Sequence, residues 1–117
     1  MAEYKLGEIE KKFAQIIWNN EPLSSGELVK LCEQELAWKK STTYTILKRL
    51  CERGLFINEK GMVRSLVSEE EFHANLSEKF VEEVFSGSLP KFVAAFTNQR
   101  KLSDQEIEEL KKIIENA

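Results

Sequence analysis

The stretch from Lys39 to Gly54 carries side chains that can bind DNA. Thr42, Thr45 and Lys48 recur every three residues, which places them on one face of a helix. Hydroxyl groups donate to or accept from several base edges, and a lysine amine reaches guanine or a phosphate. Five Lys and Arg residues stand against one Glu between residues 39 and 53. The pattern favours a helix that enters a DNA major groove, and a solvated surface helix is the alternative.

The opposite face of this helix is apolar and is expected to pack inward. Ile46, Leu47 and Leu50 fall on one stripe at helical spacing, with Thr43 one turn earlier. Ser41 is predicted to cap the first turn, because a serine oxygen can accept from the unpaired backbone N–H groups there.

Two further helices are predicted before this one. Apolar residues at helical spacing mark the first, from about residue 6 to residue 19. Ser24 and Glu27 then form a capping-box pattern, which begins a helix that continues to about Gln34. A short link over residues 35–38 leads into the basic helix. Two short helices with a tight connection indicate a helix-turn-helix.

After Gly54 the pattern becomes typical of β-structure. Two short apolar-rich segments, residues 55–59 and 62–67, flank a turn at Lys60-Gly61. Lys60 and Arg64 are expected near the tip of this hairpin, where they can reach a phosphate or the edge of the minor groove. A helix-turn-helix followed by a hairpin predicts a winged helix.

Residues 69–117 predict three more helices with wide apolar faces, over about residues 69–86, 89–98 and 103–117. Such short helices would expose apolar surface in a monomer. We therefore expect a homodimer through this region, with a self-contained bundle packed against the winged helix as the alternative. The predicted interface residues are Phe72, Leu76, Phe80, Val84, Phe92, Phe96, Ile107, Leu110 and Ile114.

Charge is distributed unevenly along the 117 residues, whose net charge is −3. Residues 1–68 contain 11 Lys and Arg against 9 Asp and Glu, whereas residues 69–117 contain 6 against 11. A local basic patch matters more for binding to DNA than the average charge does. The sequence thus predicts a DNA-binding domain over residues 1–68 and a dimerisation region over residues 69–117.

Other classes of protein find little support in the sequence. No apolar run approaches the roughly 20 residues that span a bilayer, and residues 1–13 are too charged for a signal peptide. Cys32 and Cys51 lack metal-binding spacing and lie on apolar stripes, which favours buried thiols in a reducing cytoplasm. His73 is the single histidine and has no nucleophile motif or metal-spaced carboxylates around it. We expect a cytoplasmic protein without membrane insertion, catalytic site, cofactor or metal ion.

The order and spacing of these segments resemble the penicillinase repressor family, the BlaI/MecI/CopY group of bacterial repressors. The resemblance is strongest at TTYTILKRL, residues 42–50, followed by Gly54-Leu55, and at LVSEEEF, residues 66–72. It runs from about Leu6 to the end of the chain. It implies a winged helix-turn-helix followed by a helical dimerisation region, in a cytoplasmic homodimer that binds a palindromic operator and blocks transcription.

The resemblance also implies which residues contact the double-stranded DNA. Tyr44 would either contact a phosphate or pack over the flank of its helix. Arg49 would either contact DNA or form an ion pair with a glutamate of the first helix. The predicted DNA-binding residues are Lys40, Ser41, Thr42, Tyr44, Thr45, Lys48, Lys60 and Arg64.

Two departures from the family concern the signal that inactivates the repressor. In the β-lactam-responsive members a membrane sensor protease triggers cleavage at an Asn-Phe bond, and the matching dipeptide here is Ala95-Phe96. The copper-responsive members have a cysteine-rich tail, which residues 111–117 lack. The sequence predicts repression of transcription as the function. It leaves open whether proteolysis, a ligand or neither inactivates the repressor. A winged-helix protein-interaction module and a ligand-responsive regulator without proteolytic inactivation are the alternative functions.

Overall fold

Three helices form the first part of the protein, for which a computed structural model describes residues 5–117. They are α1 (Glu8–Asn20), α2 (Ser25–Leu36) and α3 (Lys40–Glu52). The predicted capping box of α2 is present, since the Ser24 hydroxyl oxygen accepts a hydrogen bond from the Glu27 N–H at 3.1 Å. Residues 37–39 connect α2 to α3, so the predicted helix-turn-helix is present. Residues 1–4, which begin the charged N-terminal segment, lie outside the described residues.

A three-stranded antiparallel sheet accompanies these helices, in the order β1-β3-β2. The strands are β1 (Leu23–Ser24), β2 (Phe56–Glu59) and β3 (Met62–Ser65). Lys60 and Gly61 form the predicted turn between β2 and β3, and both have a positive φ, as a two-residue hairpin loop of this kind requires. The sequence did not predict β1, because two residues are too short to show an alternating pattern.

The core of the winged helix lies between the three helices and the inner face of the sheet. The Trp18 indole N–H donates to the Val67 carbonyl at 3.0 Å, and its ring centroid lies 5.3 Å from that of Phe72. Phe72 is only 2% exposed and therefore belongs to this core. The principal core side chains are Phe13, Ile17, Leu28, Leu47, Leu50, Phe56, Val63 and Phe72.

Three helices follow the sheet: α4 (Glu69–Phe85), α5 (Leu89–Gln99) and α6 (Asp104–Glu115). The chain divides into two compact units between Ser77 and Glu78, within α4. The sequence predicts a division of function at residue 68, nine residues before this structural division. The start of α4 folds with the first unit because Phe72 and Leu76 pack on the winged-helix core.

The second unit, residues 78–117, has no fully buried side chain. Four phenylalanine rings form a cluster in which neighbouring centroids lie 5.5 to 6.3 Å apart. The cluster consists of Phe80, Phe85, Phe92 and Phe96. Serine side chains cap both short helices, since Ser88 accepts from the Lys91 N–H and Ser103 from the Glu106 N–H. Along residues 5–117, none of the helices has the length and apolar character needed to cross a bilayer.

Candidate nucleic-acid interface

The faces of α3 separate as its sequence predicts. Thr43, Leu47 and Leu50 are buried, and Ile46 is half-buried against the core. Burial of this side turns the opposite one, with its hydroxyls and lysines, to solvent. The exposed side chains of α3 that were predicted to bind DNA are Lys40, Ser41, Thr42, Tyr44, Thr45 and Lys48.

The prediction that Ser41 caps α3 is wrong. The N-cap is Lys39, whose extended backbone (φ −74°, ψ 156°) precedes the first helical residue, and no side chain caps this end. Ser41 lies within the first turn, where its carbonyl accepts a hydrogen bond of 2.9 Å from the Thr45 hydroxyl. Because the Thr45 hydroxyl donates to the Ser41 carbonyl, it presents an acceptor oxygen to solvent. The methyl group of Thr45 can still contact a thymine methyl.

Tyr44 connects α3 to the start of α2. Its hydroxyl donates to the Ser25 Oγ at 3.2 Å, and the Lys40 Nζ lies 6.0 Å from the centre of its ring. These contacts hold Tyr44 against the flank of its helix, and a contact between Tyr44 and a phosphate stays a prediction.

Ser25 joins three elements at this place, a role that sequence reasoning missed. Its backbone N–H donates to the Gly61 carbonyl at 2.8 Å, while its side chain accepts from Tyr44. The hairpin turn, the start of α2 and the flank of α3 are thereby held together. Such a junction fixes the hairpin turn relative to α3.

The flank of α3 toward α1 carries a cluster of charges. The Nη1 of Arg49 lies 3.7 Å from Oε2 of Glu10, and the Nη1 of Arg53 lies 3.4 Å from Oε1. Oε1 also accepts from the Gly7 N–H at 3.1 Å. This hydrogen bond and the two guanidinium groups hold the pKa of Glu10 below its usual value, although burial opposes them. The ion pair that was one alternative for Arg49 is confirmed. Arg53 reaches the same carboxylate because it follows Arg49 by one helical turn.

The wing has two exposed cations. Lys60 occupies the turn itself, at φ 52°. The Nη2 of Arg64 donates to Oε1 of Glu59 at 3.2 Å on the neighbouring strand, and both side chains are exposed. An anion that binds Arg64 has to displace Glu59, whereas Lys60 is exposed in the turn itself.

The predicted dimer residues fall into two groups. Phe72 cannot supply interface area, because it is buried in the winged-helix core, and Leu76 is half-buried against the same core. Phe92 is half-buried within the phenylalanine cluster. The remaining six side chains are 37 to 71% exposed and are Phe80, Val84, Phe96, Ile107, Leu110 and Ile114.

An apolar cavity of about 310 Å³ opens between α5 and α6. Phe92, Phe96 and Leu110 are among its lining residues. Arg100 lies at its edge, with its guanidinium 5.0 Å from the centre of the Phe96 ring and two hydrogen bonds of 3.2 and 2.8 Å to Glu106. These bonds, together with the Ser103 N–H, which donates to Oε1 of Glu106 at 3.0 Å, lower the pKa of Glu106 to about 2.

Ala95 and Phe96, the dipeptide considered from the sequence as a cleavage position, lie within α5. Their peptide bond is thus part of a regular helix. The Cys32 thiol is buried and the Cys51 thiol is half-buried, and burial raises the pKa of both. No cluster of three or more His, Cys, Asp or Glu able to hold a metal ion occurs among residues 5–117.

Comparison with known proteins places these features in a family context. A family model described as "Penicillinase repressor" matches residues 6–116. The methicillin resistance regulatory protein MecI of Staphylococcus aureus strain Mu50 is 28% identical over 115 residues, which cover 95% of this chain and 94% of that protein. The penicillinase repressor of Bacillus licheniformis is 26% identical over 115 residues, covering 95% and 90%. That of S. aureus is 23% identical over 103 residues, covering 85% and 82%.

Proposed function

The chain belongs to the penicillinase repressor family, and from that premise we propose that it represses transcription by binding a palindromic DNA operator as a homodimer. The outer face of α3 supports this proposal most directly. Thr42, Thr45 and Lys48 are exposed together on a helix whose other side is buried in the winged-helix core. Such a helix can lie in the major groove with its short polar side chains against base edges.

Different residues serve sequence reading and backbone binding in this proposal. Thr42, Thr45 and Lys48 read bases, because they lie at the centre of the exposed face. Lys40 at the start of α3 and Lys60 at the wing tip bind phosphates, which position the protein without carrying sequence information. Arg64 joins them after exchanging Glu59 for a phosphate, and Ser41 contacts the backbone beside Lys40. Tyr44 keeps its contact with Ser25 and sets the angle of α3.

The second unit provides the dimer contact in this proposal. Its 40 residues contain no fully buried side chain, and most of its large apolar residues are more than a third exposed. The same apolar surface is present on a second copy of the chain. Packing the two surfaces against each other removes both from water. A dimer also supplies two recognition helices, which read half-sites about one DNA turn, or a small multiple, apart.

The cavity between α5 and α6 favours a second candidate, a repressor released by a small apolar ligand. Its volume suits such a ligand. The same apolar residues are those expected to meet the partner subunit, so ligand and partner would compete for them.

Selection from a random duplex library, followed by fluorescence-anisotropy titration across salt concentration, tests the proposal. We expect a palindromic winner and a steep loss of affinity with salt. Sedimentation at micromolar concentration should show a dimer. An interaction module that never meets DNA would give no enrichment and a flat salt dependence, and either result would refute the proposal.

A further inference from the structure

The cations of α3 and of its C-cap residue, Arg53, divide into two groups. Lys40 and Lys48 extend into solvent on the helix surface. Arg49 and Arg53 instead converge on a single carboxylate of α1, that of Glu10. Only part of the positive charge in this helix is therefore directed outward.

Glu10 is placed to keep its negative charge. Its side chain is 15% exposed, and the Gly7 N–H fixes one oxygen at 3.1 Å. The other oxygen is buried and accepts no hydrogen bond from residues 5–117, so the nearby guanidinium of Arg49 is its electrostatic compensation. The lowered pKa of this carboxyl agrees with that arrangement.

Arg49 lies beside the surface that faces DNA. It follows Thr45 by four residues and Thr42 by seven, so all three share one side of α3. Its side chain is half exposed, and its 3.7 Å contact with Glu10 is longer than a hydrogen bond. Arg49 is thus the cation of the pair that can leave Glu10 for a phosphate at the groove edge. Arg53 is held further by a 3.1 Å bond to the Lys5 carbonyl.

We propose that Glu10 withholds Arg49 from the DNA backbone and so limits the affinity of the recognition helix for DNA of any sequence. This inference rests on the proposed function. A phosphate contact adds affinity to every duplex alike, because it carries no sequence information. Because Arg49 pairs with Glu10 of α1, it connects α3 to α1 and adds no sequence-independent contact with DNA.

Glu10→Gln tests the inference with little change of shape. The glutamine oxygen can still accept from the Gly7 N–H, whereas the charge that holds Arg49 is gone. Glu8→Gln is the matched control, since Glu8 lies on the same helix with its side chain 86% exposed. Because both subunits of the dimer carry the substitution, we expect Glu10→Gln to steepen the slope of log affinity against log salt by about 1.8, the effect of one phosphate per subunit. That is about a 12-fold larger loss between 50 and 200 mM salt.

Arg49→Gln and the double variant complete the test. Arg49→Gln alone should leave the salt slope unchanged, and adding it to Glu10→Gln should restore the original slope. Operator and random duplexes should gain equally in Glu10→Gln. The inference is overturned if Glu10→Gln matches Glu8→Gln, if Arg49→Gln alone flattens the slope, or if the gain persists in the double variant. A wild-type chain without salt-dependent DNA binding would instead refute the proposed function.

Discussion

Replacing Phe72 with alanine should destabilise the winged-helix unit by about 3–5 kcal/mol without weakening the proposed dimer. The ring is 2% exposed, so its truncation leaves a cavity in the core. It also removes the contact with Trp18, whose ring centroid is 5.3 Å away. Such a loss is a large part of the roughly 5–15 kcal/mol that holds a domain folded. Phe72→Leu removes less volume, so its stability should lie between those of the wild type and Phe72→Ala.

The position of the tryptophans makes this effect measurable. Both Trp18 and Trp38 pack against the first unit's core, so urea unfolding followed by their fluorescence reports on that unit. Sedimentation gives the dimer dissociation constant separately. Phe96→Ala is the matched control, because this ring is 43% exposed in the second unit and should weaken the dimer instead. A Phe72→Ala protein of unchanged stability but weaker dimerisation would show that Phe72 is an interface residue after all.

Three further expectations concern the two surfaces and one ion pair. Thr45→Ala should cost roughly 1–3 kcal/mol on the operator and little on random DNA, whereas Lys40→Ala should weaken both alike; equal losses for Thr45→Ala would remove it from the base-reading set. Leu110→Asp should yield monomers in sedimentation and reduce operator affinity, and a persisting dimer would contradict the proposed interface. Glu106 should titrate near pH 2 by carboxyl NMR, so the stability contributed by its pair with Arg100 is present above pH 4.5 and is lost as pH falls toward 2; an unchanged pKa in Arg100→Gln would contradict that cause.

Local patterns were sufficient to predict most of the helices. Ser24 with Glu27 and Ser103 with Glu106 mark the starts of α2 and α6 within four residues of chain. The apolar stripe of α3 likewise depends on neighbours three and four residues apart, and it correctly separated the inner from the outer face. These features follow from backbone geometry and spacing alone. The N-cap of α3 was misassigned because Ser41, a good capping residue, stands two positions after the true N-cap, Lys39.

Contacts between distant segments required the tertiary structure. Glu10 meets Arg53 across 43 residues, and Tyr44 meets Ser25 across 19, so spacing carries no sign of either pair. Phe72 shows the same limit, because its helical stripe fits a dimer interface and a core equally well, and only packing against Trp18 assigns it to the core. The sequence by itself determined the helices and the polar face of α3. The tertiary structure decided which cations that face presents and where the first unit ends, since burial and ion pairing depend on which distant side chains meet.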